Sequence, residues 1–137
     1  FASVSAFAAA LLPAELTESP AASQRQADTF YGGDLTRMEA EGAWSLVARN
    51  IDKIRGKMFV RLICGENDRL MKPNLWMSSL LDRLAVQHEF VVSKGEPHSV
   101  KEVIARLDES PFPYYARVFA QQARPASKGT LRDTPGP

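Results

Sequence analysis

Apolar positions along the chain fall into short blocks whose period alternates, most clearly in the second half. "MFVRLIC" and "HEFVVS" are strand-length runs rich in β-branched and aromatic residues. Between them, "KPNLWMSSLLDRLAVQ" places Leu75, Trp76, Leu80, Leu81 and Leu84 at helical spacing behind a proline. "SVKEVIARLDE" puts Val100, Val103, Ile104 and Leu107 on one face of a short helix. Pro111 and Pro113 are expected to break the chain before a last helix, "YYARVFAQQA".

The first half is less regular. "FASVSAFAAALL" is nearly continuously apolar, which suits a buried parallel strand and the loop after it, closed by Pro13. The polar, small-residue text "AELTESPAASQRQAD" suits a surface loop or a short frayed helix. Gly32 and Gly33 mark a tight turn. "DLTRMEAEGAWSLVARNIDKIRG" is helix-compatible, broken near Gly42 and stopped by Gly56. The last fifteen residues, 123–137, are polar and rich in proline and glycine, and are expected to form a disordered tail behind a folded portion spanning 1–122.

Strands alternating with helices predict parallel pairing through right-handed crossovers, hence an α/β sheet. Three strands are few for such a sheet. The chain also begins at Phe1, not Met, directly in an apolar run, which reads as a cut end with strands missing upstream.

Composition narrows the function. Hydrophobic residues are 45% and charged residues 24%, ordinary for a globular protein. With a net charge of +1 and no basic stripe interleaved with aromatics, nucleic acid is not an expected partner. No apolar stretch is long enough to span a membrane. The one cysteine, Cys64, excludes an internal disulfide and any multi-cysteine metal site. Oligomeric state and compartment are not readable.

The chemistry-bearing residues lie just past two predicted strands. In a right-handed strand–helix–strand unit both strands point the same way, so their C-terminal ends share one edge of the sheet. Asp68, in "ICGENDRL", lies four residues beyond Cys64, and His98, in "KGEPHSV", five beyond Ser93. Neighbouring loops would let the carboxylate hold the imidazole through Nδ1–H, fix its tautomer and support the imidazolium formed on proton transfer. Acid before base is the chain order of the Ser, Asp/Glu, His triad of α/β-hydrolases, but no G-x-S-x-G is present.

These motifs carry a resemblance. From about Phe1 to Ala120 the chain resembles the C-terminal half of an α/β-hydrolase of the esterase group that includes esterase D-like, feruloyl esterase-like and enterochelin esterase-like enzymes. "FASVSAFAAALLP" is similar to the strand after the nucleophile helix, "FYGGD" to a loop before the acid strand, "VRLICGENDRL" to the acid site and "GEPHSV" to the histidine loop. The family often has Gly-Gly or Pro-Gly before its histidine, where this chain has Glu96-Pro97. The resemblance implies an α/β-hydrolase sheet with its N-terminal half missing here. It further implies a serine esterase acting through an acyl-enzyme on a small-molecule ester, with Asp68 and His98 catalytic and no metal or organic cofactor.

Each residue also has a plainer reading. Asp68 alone could be a turn or cap residue, and His98 a surface-loop residue; the whole could be a non-catalytic α/β binding or interaction domain. His88 begins a strand without an acid partner and is expected to be structural. Cys64 lies in an apolar run and suits a buried, inert thiol better than a nucleophile. Ser3 and Ser5 lack flanking glycines, Ser99 is placed to cap the following helix, and Asp34 suits a turn. Trp44, Trp76 and the aromatics of "PFPYY" suit packing. Glu66 and Asp68 could bind Mg²⁺, but no further carboxylates converge on them.

Overall fold

The computed structural model describes residues 2–7, 9, 13, 17 and 19–122. The tail expected at 123–137, and most of the segment expected to follow the first strand, lie outside the described residues.

Three parallel strands form the sheet. β1 (Ala2–Phe7), β2 (Met58–Gly65) and β3 (His88–Ser93) pair in the order β1-β2-β3, with β2 central. Ala2 opposes Met58 and Phe7 opposes Ile63; on the other side Val60 opposes His88 and Gly65 opposes Ser93. Among the described residues, four helices lie between β1 and β2: α1 (Pro20–Phe30), α2 (Leu35–Glu41), α3 (Ala43–Arg49) and α4 (Ile51–Ile54). α5 (Met71–Arg83) crosses from β2 to β3, and α6 (Val100–Ala105) and α7 (Pro111–Gln122) follow. The expected α/β class with three parallel strands and flanking helices is what the chain forms.

Side chains alternate across the sheet, so β2 serves two layers. Val60 and Leu62 face a core built with Ala27, Met38, Trp44, Met77, Leu81 and Val86, against which Ala6, Trp76, Leu80, Leu84 and Phe90 pack. Phe59, Arg61 and Ile63 point to the opposite face, where Tyr114 of α7 is fully buried and its ring tilts against Phe59. Burying a side chain such as Leu62 or Leu81 contributes about 1.5–3 kcal/mol. Because both faces are covered, β2 reads as the continuous apolar run that its sequence shows.

Arg61 interrupts that run and is only 2% exposed. Its guanidinium lies 4.4 Å from the centroid of the Tyr114 ring, donates through Nη1 to Glu109 O at 3.2 Å, and stands 3.8 Å from Glu89 Oε2. The buried charge is thereby compensated by a ring face, a carbonyl and a carboxylate on the neighbouring strand.

Several elements differ from expectation. The stretch from 14 to about 28, expected to be a surface loop or a short frayed helix, gives way to the eleven-residue α1, which has Pro20 in its first turn behind Ser19, whose side chain accepts from Ala22 N at 3.2 Å, and which runs on to Phe30. Its buried residues are only Ser23 and Ala27, too small to show an apolar stripe. Pro111 and Pro113 do not break the chain but begin α7. Their missing N–H groups fall in the first turn, where no intrahelical partner exists. On α5 the buried line is Pro73, Asn74, Met77 and Leu81, and Leu75 is 49% exposed, so the helix is rotated from the face drawn through its leucines. Val100 is likewise exposed, whereas Val103 is buried.

Candidate active site

The register of β2 on β3 builds the site. Gly65 and Ser93 are partners at the strand ends, and Glu66 N donates to Ser93 O at 2.9 Å, carrying the ladder one residue further. The two loops therefore leave the sheet side by side. After β2 the chain turns at once: Asp68 N donates to Gly65 O at 3.1 Å, and Leu70 N donates to Asp68 Oδ1 at 2.8 Å. That Asx-type turn aims the carboxylate back over the sheet edge, where its side chain is wholly buried.

His98 arrives from the other loop. Its Nδ1 lies 2.9 Å from Asp68 Oδ2 and 3.1 Å from Oδ1. Since an ionised carboxylate only accepts, Nδ1 is the donor in this bond, and in the neutral form of the ring Nε2 is left as an acceptor on the opposite side. The imidazole side chain is 46% exposed while its carboxylate partner is 0% exposed. The two residues singled out from the sequence are thus brought together as a hydrogen-bonded pair, buried at the acid end and open at the base end.

The backbone that carries His98 is tightly held. Gly95 has φ +73°, a left-handed conformation suited to glycine. Its N–H donates to Glu66 Oε2 at 2.9 Å, and its carbonyl accepts from Asn67 Nδ2 at 3.2 Å. Asn67 N donates to Glu96 O at 3.0 Å. Glu96, at the position that departs from the family pattern, is 6% exposed, and its carboxylate pairs with Arg106 Nε of the residue closing α6 at 2.5 Å. Ser99 caps α6 as expected, accepting from Glu102 N at 3.4 Å.

The remaining candidates fall to structural roles. Burial, then the charge of Asp68 and a hydrogen bond to it, push the Cys64 thiol up to about 12; this fully buried group stays protonated at neutral pH. His88 donates from Nδ1 to Val86 O at 3.1 Å, and Ser78 Oγ lies 2.8 Å from Nε2, so both nitrogens are occupied. Ser3 Oγ is 3.3 Å from Tyr114 Oη, and Asp34 caps α2 by accepting from Arg37 N at 2.9 Å. Glu66 spends a carboxylate oxygen on Gly95, and no group of three His, Cys, Asp or Glu residues suited to a metal occurs among the described residues.

Comparison with protein-family models, curated proteins and solved structures returned no match.

Sequence reasoning overlooked Asn67, Glu96 with Arg106, and Asn74. Asn74, wholly buried in the first turn of α5, donates through Nδ2 to Ala9 O at 2.9 Å and Leu70 O at 2.8 Å. The signal available was a polar residue on the inward stripe of an amphipathic helix.

Proposed function

We propose that Asp68 and His98 are the acid and base of a Ser-His-Asp triad in a serine esterase of the α/β-hydrolase type. The observation that carries the reading is the asymmetric pair: a buried carboxylate 2.9 Å from Nδ1 of a half-exposed imidazole, at the C-terminal edge of adjacent parallel strands. A pair serving only to stabilise the loops has no need to present Nε2 outward. The order acid then base, with each residue one loop beyond its strand, also matches the α/β-hydrolase sequence motifs.

In this mechanism His98 Nε2 removes the proton from a serine Oγ as that oxygen attacks the ester carbonyl. The imidazolium stays hydrogen-bonded to Asp68, which remains ionised and stabilises the added charge. His98 then returns the proton to the departing alkoxide, leaving an acyl-serine. Water, deprotonated by the same nitrogen, attacks the acyl carbon and releases the carboxylic acid and the serine. The mechanism calls for a serine in a G-x-S-x-G elbow and an oxyanion hole that come before the acid in chain order. The substrate class is a small carboxylic ester, and no cofactor takes part.

The test is His98→Ala in the full-length protein, read as hydrolysis of p-nitrophenyl acetate alongside thermal melting. The esterase reading expects kcat to fall by about 10⁴-fold or more in a protein that still folds. Unchanged turnover would remove His98 from the chemistry, and no turnover in the wild type across short acyl esters would favour a non-catalytic binding domain.

A further inference from the structure

The acid loop does more than supply Asp68. Residues Glu66 and Asn67, immediately before it, hold Gly95 from both sides: the Glu66 carboxylate takes the Gly95 N–H, and the Asn67 amide donates to the Gly95 carbonyl. The Asn67 backbone N–H reaches one residue further, to Glu96 O. Three contacts thus run from two consecutive residues to two consecutive residues, and His98 follows two positions later. Both side chains are in exposed positions, where such contacts add little to overall stability. Their geometric effect is larger, because they set the height and direction of the segment that delivers the imidazole to a fixed, buried carboxylate.

From this arrangement we infer that Glu66 and Asn67 are positioning residues, which clasp the Gly95–Glu96 backbone and hold His98 in register with Asp68. The inference rests on the esterase reading for its consequence in turnover, but not for its geometry. Glu66 acts by accepting a hydrogen bond rather than by its charge: a glutamine carbonyl can accept the same N–H, whereas alanine cannot. Asn67 acts by donating, and aspartate in its place sets an acceptor against the Gly95 carbonyl. The two substitutions that keep the shape therefore have opposite outcomes.

The experiment uses the full-length protein labelled with ¹⁵N-histidine, in wild-type form and as Glu66→Ala, Glu66→Gln, Asn67→Ala and Asn67→Asp. Tautomer-sensitive imidazole ¹⁵N shifts and the low-field Nδ1–H proton of His98 report the bond to Asp68, with His88 as an internal reference on a different scaffold. Turnover of p-nitrophenyl acetate is measured on the same samples. In Glu66→Ala, Asn67→Ala and Asn67→Asp the His98 Nδ1–H signal is expected to broaden or vanish. kcat should fall about 10- to 100-fold with KM little changed, as expected when a base is misplaced. His88 signals and the melting temperature should stay as in wild type, and Glu66→Gln should restore both readouts. An unchanged His98 tautomer in the alanine variants, or a Glu66→Gln variant as impaired as Glu66→Ala, overturns the clasp. The spectra require no ester turnover, so an inactive wild type would count against the esterase reading alone and leave the clasp to be decided by the tautomer.

Discussion

Gly65→Ala tests whether the two loops must touch at the backbone for the site to form. A Cβ placed on Gly65 would lie 2.7 Å from Pro97 O and 2.9 Å from Glu96 C, and closer still to Glu96 O. All three are backbone atoms of the loop that carries His98, so no side-chain rotation relieves the collision. Restoring an ordinary contact of 3.4 Å requires Pro97 O to retreat by about 0.7 Å, with a larger shift at Glu96. Overpacking of this kind costs about 1–3 kcal/mol, and the gain of about 0.5–1 kcal/mol from replacing glycine in a strand offsets part of it. The net loss, up to about 2.5 kcal/mol, corresponds to a melting temperature lower by up to roughly 10 °C. Moving the imidazole off its carboxylate by most of an ångström should also cost about 100-fold in ester turnover. The assays are thermal melting and the His98 Nδ1–H resonance, measured against Gly95→Ala. There the added methyl meets open space and the cost is backbone strain alone, about 1–2 kcal/mol. Unchanged melting and an unchanged His98 signal in Gly65→Ala would refute the close-approach argument.

Three further outcomes follow from the same structure. Asp68→Asn should fold but lose about 10⁴-fold in kcat, because the amide can donate to Nδ1 and favour the wrong tautomer; near-normal turnover would remove Asp68 from the mechanism. Cys64, raised from 9.0 to about 12 by burial first and the Asp68 charge second, should resist a thiol reagent at pH 8 and label fully only in denaturant. Because its folded pKa lies above the unfolded one, its contribution to stability is complete below pH 9 and disappears as pH rises toward 12. Denaturant midpoints across that range should fall less steeply in Cys64→Ala. Glu109, held below its usual 4.5 chiefly by hydrogen bonds from Arg117, contributes stability above pH 4.5 that is lost as pH falls further; Glu109→Gln should flatten that part of the acid limb.

Much of the sheet was legible because a parallel strand covered on both faces must be apolar along its length, a condition that β2 meets but for Arg61, while β3, only half-buried and with Val92 exposed, was marked instead by its aromatic and β-branched centre. Asp68 and His98 could be paired from sequence because a crossover unit places strand C-termini at one edge whatever the intervening helix does. The misread elements share a different cause. α1 buries only Ser23 and Ala27, so its inward face carries no hydrophobic period. The prolines of α7 signal a break or a start equally well, and only the packing of Tyr114 under Arg61 decides between them. The clasp was illegible for a third reason: Glu66 and Asn67 act on backbone groups of Gly95 and Glu96, and backbone partners leave no side-chain signature at the other end.

Among the described residues, the acid loop is gripped on both flanks. On the β1 side Asn74 ties Leu70 O to Ala9 O, while Leu70 N holds Asp68 Oδ1. On the β3 side Glu66 and Asn67 hold Gly95 and Glu96. Asp68 needs this support, because a buried carboxylate is stable only if its oxygens are satisfied, and its described partners are the Leu70 N–H, the Cys64 thiol and the His98 imidazole. Of these, the imidazole alone comes from another loop. Water could meet the same need at a more open carboxylate, but burial of Asp68 excludes it and leaves the bond to His98 dependent on where the histidine loop sits. Enclosing the acid while exposing the base makes the pair sensitive to loop geometry. The flanking grips then supply a rigidity that neither strand end provides alone.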